Sequence, residues 1–108
     1  MKTTISMAKR FGHFLSCGED GAKLRFCEIE PAIQEGKMVI LNMKGVTNMT
    51  DSFANACFTS LFVHLNNELE GKIVFKECTP LLQSCLRDAL SRANLLLEDK
   101  RSDLASSR

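Results

Sequence analysis

A chain of 108 residues with 14 Lys and Arg against 13 Asp and Glu is the size of one domain and nearly neutral, at formal +1. Neutrality argues against a nucleic-acid module driven by bulk charge, and no basic run exceeds two residues (Lys9-Arg10, Lys100-Arg101). No apolar run approaches the roughly 20 residues of a transmembrane helix, and the opening MKTTISMAKRF lacks the apolar core of a signal peptide. The expectation is a cytoplasmic protein with no membrane and no nucleic-acid partner.

The elements follow in chain order. Thr3 to Ala8 alternates and carries β-branched residues, so it is predicted as a strand; Phe11 to Leu15 extends it or forms a short second one. Ser16 to Gly21 has the glycines and small polar residues of a loop. Ala22 to Glu35 is read as a helix, with Ala22, Phe26, Ile29 and Ile33 on its buried stripe and a kink or break near Glu30 forced by Pro31. Met38 to Met43 opens apolar on both faces, as a central strand does.

Lys44-Gly45 ends that strand. Val46 and Met49 are expected in the core, with Thr47 and Asn48 outside. Phe53 to Leu65 is a predicted helix with Ala54, Cys57, Phe58, Leu61, Phe62 and Leu65 on its stripe; Asn66, Asn67 and Gly71 mark its exit. Lys72 to Lys76 is a short strand. Thr79-Pro80 starts a last helix, because Thr79 can cap free amides and Pro80 fits the first helical position. Leu82, Leu86, Ala89, Leu90, Ala93 and Leu97 form its stripe, and it is expected to end at Leu96 or a little beyond. Residues 1–99 read as a single domain and 100–108 as a flexible polar tail. Alternation of strand and helix predicts an α/β sandwich, with a central, mostly parallel or mixed sheet of about four strands and helices packed against it.

Five cysteines (Cys17, Cys27, Cys57, Cys78, Cys85) form no CxxC pair, and His13 and His64 stand far from any two of them. Reduced thiols, no metal and no cofactor are expected. The chemistry-bearing stretch is Lys44 to Ser52, the loop at the carboxyl end of the central strand, where open α/β sheets place their ligands. Thr50, Asp51 and Ser52 are all good N-caps, and capping alone would explain them. Ser52 also falls where free amides and the helix dipole would partly stabilise a phosphate.

A catalytic serine needs a base. His64 lies about three turns along the same helix, roughly 18 Å away by the helical rise, and His13 has no sequence reason to approach. Phosphate-binding glycine loops are absent. Asp51 reads as a cap or a loop charge, and His64 as a helix-edge surface residue. No enzyme is expected.

Val39-Ile40-Leu41-Asn42-Met43-Lys44-Gly45-Val46-Thr47 resembles the strand-and-turn signature of STAS domains, the anti-sigma-factor-antagonist fold. Ser52-Phe53-Ala54 and Gly21-Ala22-Lys23-Leu24-Arg25 are similar to the helix openings of small bacterial STAS-like domains. The resemblance covers roughly Thr3 to Ala93. It implies a non-enzymatic switch module: in the better-known relatives a GHKL-type ATPase acting as a serine kinase binds the helix start and phosphorylates the second serine of an Asp-Ser-Ser-Gly motif, which breaks the complex. That serine corresponds to Ser52. Thr50 replaces the motif Asp, Asp51 the first Ser and Phe53 the Gly.

Two functions from different classes follow. One is a protein-interaction switch with Ser52 as candidate phosphoacceptor and Lys44, Asn48, Thr50, Asp51, Ser52 and Asn55 as contact residues. The other is a small-ligand or nucleotide-binding domain using the same helix start as an anion site, which a thermal-shift screen with nucleotides would reveal. A purely structural subunit is a third reading.

Overall fold

In the computed structural model, which describes residues 1–65 and 71–106 with side chains through Glu98, β3 (Met38–Asn42) is the middle of a parallel sheet in the order β1-β3-β5. Its neighbours are β1 (Lys2–Ser6) and β5 (Ile73–Lys76). The register places Ile5, Leu41 and Phe75 in one row and Thr4, Ile40 and Val74 in the next, on the opposite face. Ile5, Val39 and Leu41 enter the hydrophobic core, with Ile73 and Phe75 packed against it. On the other face Thr4 is exposed and Ile40 is buried between its neighbours.

The sheet does not have the four strands expected. β1 and β3 both end at the row Ser6–Asn42, and the two chains then leave it together. After Ser6 the chain winds into α1 (Met7–Phe11) instead of continuing as a strand to Ala8. Met7 and Phe11 are four residues apart, which suits a helix that buries Met7 while Lys9 and Arg10 stay outside. After Asn42 the chain turns at Gly45, whose φ of +89° is a left-handed conformation open to glycine. An added Cβ there would also lie 3.1 Å from the Ala8 side chain, so the turn backs closely onto α1. Both chains resume as two-residue strands, β2 (Phe14–Leu15) and β4 (Asn48–Met49), which pair in parallel as a separate sheet. As expected, Val46 and Met49 are buried and Thr47 and Asn48 exposed.

The segment Ser16 to Gly21 is mostly helix rather than loop. α2 (Gly18–Leu24) begins there, with Glu19 and Asp20 in its first turn, where carboxylates face the positive end of the helix dipole. It continues through a π turn (Arg25–Ile29) into α3 (Glu30–Gln34). Pro31 therefore does not break the helix. In α geometry its ring would press on the carbonyl four residues back; the wider π turn just before it, in which the Glu30 amide donates to the Arg25 carbonyl, makes room. The extra residue shifts the buried stripe. Leu24, Ile29 and Ile33 are buried, whereas Phe26, expected inside, is 70 % exposed.

The next helix has the same construction: α4 (Asp51–Ala54), a second π turn (Asn55–Thr59) and α5 (Ser60–Leu65). The two composite helices approach closely at Gly21, where an added Cβ would lie 3.0 Å from the Phe53 carbonyl oxygen and 3.2 Å from Cys57 Cβ. Four aromatic rings in sequence, Phe11, Phe53, Phe58 and Phe75, tie α1 to β5 through this helix, with successive centroids 5.6, 6.2 and 5.5 Å apart. Asn66 and Asn67 lie outside the described residues.

α6 (Pro80–Ser106) begins as expected: Thr79 Oγ1 accepts from the Leu82 amide at 3.2 Å, and Pro80 is the first helical residue. Leu82, Ala89 and Ala93 are buried, but Leu90 is 46 % exposed, at the edge of the stripe. The helix runs on past Leu96 to Ser106, so most of the stretch read as a tail is helical.

Candidate functional site

The loop after β4 is fixed from two directions. The Thr50 amide donates to the Leu15 carbonyl at 2.9 Å, and Thr50 Oγ1 donates to the Ser16 carbonyl at 3.2 Å. The same hydroxyl accepts from the Phe53 amide at 3.2 Å, so Thr50 is the N-cap of α4. Of the three candidate caps the backbone selects Thr50, because its ψ of 160° is extended while Asp51 is already helical.

Asp51 and Ser52 are exposed in the first turn of α4, and the Ser52 hydroxyl makes no hydrogen bond among the described residues. Beside Ser52 lies the start of α2. A Cβ added at Gly18 would sit 3.4 Å from the Ser52 carbonyl oxygen and 3.7 Å from its Cβ. Ser52 thus stands on a surface made by two helix starts whose first turns carry Glu19, Asp20 and Asp51. Burial, then the charges of Asp88 and Asp51, push the Cys85 thiol up; the start of α6 runs past the same surface.

The other site residues are divided. Asn55 follows Ser52 by three residues on an exposed helical position, with its side chain 3.2 Å from Thr59 Oγ1. Asn48 is exposed on β4, but its Oδ1 accepts from the Met49 amide at 2.8 Å. Lys44 lies at the other end of β4, in the turn against α1, and is not grouped with Ser52. The histidines are elsewhere. The His13 carbonyl accepts from the Thr47 amide at 2.7 Å, at the entrance of the β2–β4 pair, whereas Ser52 follows its exit.

His64 belongs to a cluster that sequence spacing does not reveal. Arg25 Nη1 donates to Glu30 Oε2 at 2.8 Å, and His64 Nδ1 lies 3.1 Å from the same oxygen. Arg25 Nε donates to the Ala56 carbonyl at 2.9 Å. That carbonyl is bypassed by the Ser60 amide, which turns to Asn55 and Cys57 within the second π turn. The arginine thus supplies a hydrogen bond that an α-helix would have made internally. Burial pushes the Glu30 carboxyl up, but the hydrogen bonds and charges of Arg25 and His64 outweigh it and hold the group below its ordinary value. Thr59, buried on the same helix, was also not singled out by the sequence.

All five cysteines are free thiols. Among the described residues no group of three or more His, Cys, Asp or Glu could hold a metal ion, and no helix is long and apolar enough to cross a membrane.

Residues 20–83 match the family model of the STAS-like domain of unknown function. The chain belongs to that family. No curated protein and no solved structure matches it. Within the STAS-like domain the match runs from the first turn of α2 through β3, the Ser52 surface and β5 to the first turn of α6; β1, α1 and β2 lie before it.

Proposed function

We propose that this STAS-like domain is a non-enzymatic interaction module that binds a protein partner through Ser52 and the helix start around it, and that the partner is an ATPase acting as a serine kinase. The observation that carries the proposal is the division of labour between Thr50 and Ser52. Thr50 holds the cap, so the Ser52 hydroxyl is not committed to the fold and faces solvent. A phosphate there would add about −1.5 to −2 charges on a surface that already has Asp51 in the same turn and Glu19 and Asp20 in the neighbouring one. Such a change opposes a contact with an acidic or apolar partner surface without touching the core. The same carboxylates speak against the second reading, an anionic small ligand at this helix start.

The test is affinity capture from the native host's lysate with wild-type protein and Ser52→Asp, both checked for folding by thermal melting. A partner with an ATPase sequence that is captured by wild type and lost with Ser52→Asp is the expected result. Capture of the same partner by both baits would place the contact away from Ser52 and overturn the proposal.

A further inference from the structure

The second π turn and α6 enclose a groove of about 470 Å³ between Asn55, Thr59 and Ser60 on one side and Arg92, Leu95 and Leu96 on the other. It continues the surface just described, because Ser52, Asn55 and Thr59 follow one another along one side of the same helix. Two features of the groove are not explained by the fold. Leu95 and Leu96 are 61 % and 49 % exposed, two large apolar side chains adjacent on a helix beyond its last fully buried residue, Ala93. Arg92 Nε is buried and has no hydrogen-bond partner among the described residues. Asp88, one turn earlier on α6 and well spaced for an ion pair, forms none with it. A guanidinium N–H out of reach of water is matched best by a carboxylate.

We infer that the groove receives a segment of the protein partner that presents an acidic side chain to Arg92 and apolar side chains to Leu95 and Leu96. This rests on the reading of the Ser52 surface as a partner contact and extends it by about two helical turns. Charge and apolar area specify the occupant together: the arginine selects for a carboxylate, and the leucines supply the non-directional part of the binding. Asn55 and Ser60 at the rim can hydrogen-bond the segment's backbone.

The test uses a phage-displayed random-peptide library selected on the whole chain, with affinities of the enriched peptides measured by fluorescence anisotropy. Enriched peptides are expected to share an Asp or Glu beside apolar residues. Arg92→Gln, and separately the change of the peptide's acid to its amide, should each weaken binding about tenfold or more. The two losses should not add, because they remove the same contact. Leu95→Ser, at an exposed position and therefore harmless to the fold, should weaken binding as well. Peptides without an acid, peptides indifferent to Arg92→Gln and Leu95→Ser, or no enrichment would overturn the inference. Loss of peptide binding in these variants, when Ser52→Asp leaves partner capture unchanged, would keep the groove and remove the switch. Intact Ser52-dependent capture with no groove-binding peptide would do the reverse.

Discussion

Removing the Thr50 hydroxyl takes away the acceptor of the Phe53 amide and the donor to the Ser16 carbonyl together. Thr50→Ala should therefore destabilise the protein by about 1 kcal/mol or somewhat more. Ser52→Ala, at an exposed hydroxyl with no bond to lose, should stay within roughly 0.5 kcal/mol of wild type. Urea unfolding of the two variants measures both, and a larger loss at Ser52 would return that residue to the role of cap. The sequence narrowed the choice to three adjacent residues and could go no further. Which one caps depends on where the backbone changes from extended to helical, and the bonds from β2 that fix this point come from about 35 residues earlier in the chain.

Between elements, the contact with the most chemistry joins the two π turns through Arg25, Glu30 and His64. The folded state holds Glu30 below its ordinary value, so it binds fewer protons than the unfolded chain in the acid range. The stabilisation is complete above the ordinary glutamate pKa of about 4.3 and is lost as pH falls through the lower folded-state value. Glu30→Gln should be less stable than wild type by roughly 1–2 kcal/mol at pH 7, and the two stability curves should converge below about pH 4. A gap unchanged from pH 7 to pH 3 would mean that the carboxylate's charge is not what matters. The same π turns explain what a 3.6-residue period could not read. Leu24 and Ile29 are five residues apart and both buried, while Phe26, in phase with Ala22 and Ile33, points outward. The helices themselves, the caps at Thr50 and Thr79, and the central place of β3 were legible because each rests on local residues.

For the molecule as a whole, strand–helix alternation gave the α/β class, but the partition into a sheet of three strands and a sheet of two did not follow from it. A strand of two residues has no period to detect; β2 and β4 exist because neighbouring chains break and resume together. The cysteines report how this architecture opens. Cys17 and Cys27 are exposed, whereas Cys57 lies in the second π turn, against Gly21 and inside the core, where burial pushes its thiol up to about 12. An alkylating reagent near pH 8 should modify Cys17 and Cys27 in the native protein and reach Cys57 only under conditions that unfold it, as read by mass spectrometry of the labelled peptides. Labelling of Cys57 in native buffer at the rate of Cys17 would show that the helix pair separates without global unfolding.

The π turn before Pro31 also has a genetic consequence. Loss of a single codon between Arg25 and Ile29 would not shorten a loop; it would let the helix close to ordinary pitch and rotate all that follows by about 100°. Glu30 would swing away from Arg25 and His64, Ile33 would leave the core, and the ring of Pro31 would meet the carbonyl it now avoids. This helix therefore tolerates substitution at exposed Phe26 far better than any change in its length.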